Sequence, residues 1–252
     1  MTIHTPGAPV PGSRAVALVT GGARRVGRAI VLELARGGFD LVIHHRSSAA
    51  EAEELVAECA TLGARAVAIP ADLTRPPQIA SLFERLDEQV GRLDVLVNNA
   101  ACFRNTPAAE LTEQDFDRHI ALNLKAPYLC CLHAAPRMRA AGAGCIVNIA
   151  DVAADRPFRD HIPYCISKAG LVMMTRAMAK AFAPAIRVNA VSPGTVLFRP
   201  DEDEGLRRRI EARIPMGRIG TPDDVARAVR FLVESPHITG AVIPVDGGRS
   251  LV

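Results

Sequence analysis

The six cysteines (Cys59, Cys102, Cys130, Cys131, Cys145 and Cys165) include no CxxC pair. That absence argues against a disulfide framework or a metal site and for free, mostly buried thiols in a reducing compartment. Basic residues form no run longer than Arg207, Arg208 and Arg209, which adjoins the acidic stretch 201–204. A solvated helix face is expected there, with no nucleic-acid partner. Lysine is scarce, 3 against 27 arginines, which reads as a coding bias and selects no partner. Residues 1–13 lack the basic start and apolar core of a signal peptide, and no later apolar stretch is long enough to span a membrane. The expectation is a soluble, cytoplasmic protein with a flexible arm over 1–13.

What is present is an alternation. From residue 14 onward, short β-branched runs at 15–19, 40–44, 65–69, 93–97, 145–149, 186–191 and 241–245 are separated by segments of helical period. Helices are expected over 26–36, from Ser47 to Gly63, and over 112–139, 162–182, 203–213 and 222–234. Several strands are apolar throughout, as strands covered on both faces must be. With 252 residues, about half apolar, and neither repeat nor internal linker, one domain over 14–252 follows. Its fold class is α/β: a single doubly wound domain of Rossmann type, with a seven-stranded, mainly parallel sheet and helices on both faces. Ligands of such sheets sit at the carboxyl ends of the strands.

Directly after the first strand comes TGGARRVGRAI, with Gly21, Gly22 and Gly27 leading into a helix. Glycines there let the backbone approach a pyrophosphate, which meets the free N–H groups of the helix N-terminus. A tight turn alone would use the same glycines; the strand–loop–helix context favours a dinucleotide. After the second strand, where a carboxylate commonly meets a free 2′-hydroxyl, the sequence reads IHHRSS. His45, Arg46 and Ser47, with Arg24 or Arg25 from the loop, suit a 2′-phosphate instead, so the expected coenzyme is NADPH. Asp72, after the third strand, is placed to accept from an adenine amino group, and Asn98 and Asn99 follow the fourth.

Tyr164 and Lys168 lie four residues apart and share a helix face. An ammonium near a phenol favours the phenolate, so a lowered Tyr164 pKa is expected. TGGARRVG, NNAA, YCISK, VSPG and the closing VDGG together resemble the short-chain dehydrogenase/reductase family over about residues 14–250. The resemblance makes Tyr164 and Lys168 catalytic and gives Asn123 a water-mediated proton relay. It adds Val26, Leu73, Ala100, Pro193, Gly194 and Thr195 to the coenzyme contacts. It also expects a serine thirteen residues before the tyrosine, where this sequence has Asp151. An ionised carboxylate only accepts hydrogen bonds and repels the negative charge a ketone develops on reduction. A substrate with ring nitrogens that gain protons would use an acid there; the competing reading is a loop cap.

Arg25 at a usual glycine, HHRS, NNAACF and Asp151 resemble the pteridine reductase branch of that family, including dihydromonapterin reductases. In that branch an aromatic ring sandwiches the pterin against the nicotinamide, a role that falls to Phe103; a core position is the alternative. The resemblance implies a pterin reductase, with a 3-oxoacyl thioester reductase and a non-catalytic NADPH-binding protein as rivals. It further implies a small-molecule partner and a homotetramer; the charge-rich, Pro-bounded character of 197–216 suggests a mobile lid.

Overall fold

Strand β1 (Val16–Val19) is apolar at every position because both of its faces are covered. Ala17 and Val19 turn into one core layer, Val16 and Leu18 into the other, following the two-residue alternation of a strand. This computed structural model describes residues 14–198 and 203–252. The arm over 1–13 and part of the expected lid lie outside the described residues.

β1 lies between β2 (Asp40–His45) and β4 (Val95–Asn98), with Val19 opposite both Ile43 and Val97. With β3 (Ala66–Pro70), β5 (Gly144–Ile149), β6 (Ile186–Pro193) and β7 (Val242–Val245) they form one sheet of seven strands. The order is β3-β2-β1-β4-β5-β6-β7 and every pairing is parallel. The chain reverses direction across the sheet between β1 and β4, which opens a crevice at the strand C-termini.

Helices α1 (Arg25–Arg36) and α2 (Ala49–Thr61) cover one face of the sheet. On the other, α3 (Pro76–Gln89) buries Ile79, Leu82, Phe83 and Leu86, a spacing of one helix face. This helix was not among those expected from the sequence; Pro76 and Pro77 open its first turn, where proline is tolerated. The single helix expected over 112–139 is divided. α4 (Glu113–Ile120) passes through a π-helical turn, Ala121–Lys125, into α5 (Ala126–Ala140), with the Ala126 N–H bonded five residues back to Ala121. α6 (Ile162–Phe182) carries the Tyr–Lys pair, α7 (Glu204–Glu211) follows β6, and α8 (Pro222–Glu234) returns to the face of α1. Among the described residues, no helix is long and apolar enough to cross a membrane. All six cysteines are free; Cys102 is half-buried and the others are buried.

Candidate active site

The glycine loop between β1 and α1 is held from three sides. The Gly21 N–H donates to His44 Nδ1 at 3.0 Å, and the opposite ring nitrogen of His44 lies 3.0 Å from the Ala71 carbonyl. One ring thus ties the loop to the ends of β2 and β3, and these partners select the neutral tautomer protonated at Nε2. Burial holds the His44 pKa down at about 4. Asn99 Nδ2 donates to the carbonyls of Thr20 and Gly21 at 2.9 and 3.0 Å. Gly27 closes the third side: a Cβ there would sit 2.1 Å from the Gly21 oxygen. Arg25, in contrast, adopts φ 53°, a left-handed conformation that glycine favours.

Around this loop lies a cavity of about 860 Å³, lined by Gly21, Arg24, Arg25, Val26 and Gly27 from the loop and by His44, His45, Arg46 and Ser47 after β2. Asp72, Leu73, Asn99 and Ala100 close it from the next strand ends. A second cavity of about 540 Å³ shares Arg25, Val26, Asn99 and Ala101 with the first, so the two form one cleft. Its walls include Phe103, Asp151, Tyr164, Lys168, Pro193, Gly194 and Thr195. Residues from six strand ends therefore meet in one place.

At its centre Tyr164 Oη donates to Asp151 Oδ2 at 2.7 Å. Lys168 Nζ donates to the Ile149 carbonyl at 2.7 Å and lies 5.6 Å from the Tyr164 ring centroid. An aromatic wall flanks the pair. Phe103 stacks on His161, centroids 4.3 Å apart, and meets Tyr164 edge-on at 4.7 Å, with Phe158 at 6.4 Å. The wall is set by the Thr106 N–H, which donates to the Asp160 carbonyl at 2.7 Å and ties the loop after β4 to the approach of α6.

A family model described as enoyl-(acyl carrier protein) reductase matches residues 21–250. The chain belongs to the short-chain dehydrogenase/reductase family. A hydroxynaphthalene reductase-like protein, Arp2, from Metarhizium anisopliae is 37% identical, over 92% of this chain and 94% of its own. The 3-oxoacyl-[acyl-carrier-protein] reductase FabG of Staphylococcus aureus is 33% identical, over 92% and 96%. A crystal structure described as that of a short-chain alcohol dehydrogenase from Sinorhizobium meliloti 1021 superposes with a TM-score of 0.88 at 33% identity, over 93% of this chain and 96% of that one. None of these three descriptions mentions a pterin, so the likeness to the pteridine reductase branch rests on residues alone.

Members of this short-chain reductase family use a nicotinamide dinucleotide, and the cleft fits one. The Gly27–Gly21 approach leaves the α1 N-terminus bare for phosphate, Arg24, Arg25 and Arg46 border the cavity, and the buried His45 Nδ1 has no protein partner among the described residues. Asp72 is more committed than expected. Its Oδ1 accepts from the N–H and hydroxyl of Thr74, and its Oδ2 lies 3.8 Å from Arg75.

Two expected site residues lie elsewhere. Asn98 is buried and donates to Asn148 Oδ1 at 2.8 Å, inside the sheet, so it does not line the cleft. Asn123, in the π turn, is also buried; its side chain donates to the Cys102 carbonyl and Ser167 Oγ and accepts from the Cys102 N–H. It positions the loop that bears Phe103. A π turn at this point swings the amide toward the loop without ending the helix.

The expected lowering of the Tyr164 pKa is reversed. Burial, then the charge of Asp151 and the hydrogen bond to it, push the phenol well above 10. Burial also raises the Asp151 carboxyl, against the Ala153 N–H, Lys168 and Tyr164. Lys168 falls to about 8 because burial outweighs Asp151. The site thus holds a phenol that keeps its proton beside a carboxyl whose pKa lies above its usual value. His44 and His161 escaped the sequence reading; the neighbouring His45 stood in the expected motif, and nothing local marked a stacking histidine.

Proposed function

We propose that the protein is an NADPH-dependent reductase of a pterin, converting a dihydropterin to a tetrahydropterin, with folate or oxidised pterin as side substrates. The observation that carries this reading is the 2.7 Å contact between Tyr164 Oη and Asp151 Oδ2, with Asp151 in the place where the family resemblance expects a serine. Arginines around the glycine loop, and His45, Arg46 and Ser47 in place of a carboxylate after β2, support a coenzyme with a 2′-phosphate.

When bound, that coenzyme supplies a hydride. The protein's own task is the accompanying proton. Asp151, with its raised pKa, returns a proton to Tyr164 or passes one to a ring nitrogen in the cleft. Lys168 contributes a positive charge beside the nicotinamide ribose site, and Asn123 holds the Cys102 loop that bears Phe103. Phe103 and His161 offer a flat wall for a bicyclic ring.

A second reading, reduction of a 3-oxoacyl thioester, is favoured by the FabG relative. The Arp2-like relative, whose name refers to a hydroxynaphthalene, is compatible with a planar bicyclic substrate. NADPH oxidation with dihydromonapterin or dihydrobiopterin, beside an acetoacetyl thioester, tests both. Pterin turnover that collapses in Asp151→Ser supports the first. Inert pterins, with thioester turnover that survives Asp151→Ser, establish the second.

The association state belongs to the same proposal. A homotetramer is supported by the exposed apolar side chains Tyr128 and Leu132 on α5 and Ile166 and Met173 on α6. Light scattering on the purified chain checks it.

A further inference from the structure

The substrate half of the cleft is electrically lopsided. Among the described residues lining it, Asp151 is the one carboxylate and sits beside Tyr164 and Lys168. The α7 side carries Arg209 and Arg213, joined by Arg249 from the C-terminal turn. Arg209 and Arg213 make no ion pair among the described residues, and Arg249 donates only to the Val252 carbonyl, at 3.2 Å.

Three acids near this end of the cleft are engaged elsewhere. Glu204 pairs with Arg208 at 3.0 Å, Asp203 accepts the Leu206 N–H, and Asp246 accepts the N–H groups of Gly248 and Ser250. Arg213 and Arg249 also border an adjoining cavity of about 490 Å³, so the cationic rim continues outward from the reacting end. Three arginines lining one cavity in which Asp151 is the one carboxylate among the described lining residues attract an anion and orient whatever carries it.

We infer that the substrate carries a phosphate on its side chain, seated by Arg209, Arg213 and Arg249 while its reacting group lies against Asp151 and Tyr164. This deepens the proposed reduction, which it takes as its starting point, and assigns α7 to selection by charge.

The test is calorimetric titration of the full chain saturated with NADP, using two matched pairs: dihydroneopterin with and without a side-chain phosphate, and acetoacetyl-pantetheine with and without its 4′-phosphate. The expected result is about tenfold tighter binding of a phosphorylated member, reduced to about twofold or less in Arg209→Ala/Arg213→Ala. NADPH affinity, which reports a folded coenzyme site, holds in that variant. Equal affinities within both pairs, or no binding by any of the four, overturn the inference. So do a preference that survives the double substitution and an NADPH affinity that falls with it, since the arginines would then serve no substrate or serve the coenzyme. Inorganic phosphate is the third titrant; binding as tight as that of the phosphorylated ligands would assign the site to a free anion and overturn the inference equally. Turnover of the same pairs is read separately. Reduction of the thioesters alone sinks the pterin reading and leaves the charge comparison intact.

Discussion

Tyr164 and Asp151 share one hydrogen bond, Oη to Oδ2 at 2.7 Å, while the other oxygen of Asp151 accepts the Ala153 N–H at 2.8 Å. One carboxylate therefore caps the loop after β5 and faces the Tyr164 phenol. Of the two roles weighed from the sequence, the loop cap is present, and the acid role is the one proposed above. Burial raises the Asp151 pKa, so the folded chain keeps that proton to higher pH than the unfolded chain does. Its ionisation costs stability as pH rises from the unfolded value of 3.8 through the folded one. Asp151→Asn removes that cost. The variant is expected to melt above the parent at pH 7, with the gap closing below pH 4, while kcat for pterin reduction drops about 100-fold. Melting curves from pH 4 to 8 decide it; a gap that does not change with pH would contradict the assignment.

Lys168 titrates at about 8 because its ammonium is buried, and Asp151 opposes that fall. A group with a depressed folded pKa gives up its proton earlier in the folded chain. Its stabilising share is complete above the unfolded value, 10.5, and is lost as pH falls through about 8. Activity runs the other way if the ammonium is required. The pH profile of kcat/KM is expected to decline through about pH 8, and Asp151→Asn, which removes the supporting charge, moves that decline to lower pH. Lys168→Arg keeps its charge and removes the decline, at reduced rate. An unmoved limb in both variants would assign it to another group.

His44 supports the coenzyme loop as a neutral ring between the Gly21 N–H and the Ala71 carbonyl. Its folded pKa of about 4 lies below the usual 6.5. The corresponding stability is present above pH 6.5 and is lost as pH falls toward 4, about 3 kcal/mol in all. His44→Ala leaves the buried Ala71 carbonyl and the partly buried Gly21 N–H without their partner and is expected to cost about 2–4 kcal/mol. The coenzyme KM should rise with it. Denaturant unfolding at pH 7 and pH 5 checks both: the parent weakens between them and the variant does so less.

Much of this was legible in the chain because its signals are local. The strands are short runs rich in apolar residues, and the glycine loop, Tyr164 and Lys168 read directly from spacing. α3 was passed over since Pro76 and Pro77 resemble a loop, although Ile79, Leu82, Phe83 and Leu86 mark its buried face. The direction of the Tyr164 shift is hidden from the sequence for a different reason. The helix places Lys168 beside the ring, but burial and a carboxylate thirteen residues upstream decide the phenol, and both depend on the tertiary structure. Asn98 and Asn99 adjoin in sequence, yet strand alternation sends the first into the sheet and the second to the glycine loop.

Arg25 and Gly27 occupy one loop with opposite requirements. Arg25 holds φ 53°, a conformation that costs a residue with a Cβ about 1–2 kcal/mol, partly offset by the greater unfolded freedom of glycine. Arg25→Gly is therefore expected to raise stability by up to about 1 kcal/mol. Its expected loss is in recognition: about a tenfold rise in the KM for NADPH, with the KM for NADH changed little. Gly27→Ala has no such latitude, because its Cβ would lie 2.1 Å from the Gly21 oxygen and 2.7 Å from Asn99 Nδ2. That variant should lose coenzyme binding and melt well below the parent. Melting temperatures and the two KM values separate these cases. Equal loss of NADPH and NADH in Arg25→Gly would remove Arg25 from 2′-phosphate recognition and leave its strained backbone as a property of the pyrophosphate loop alone.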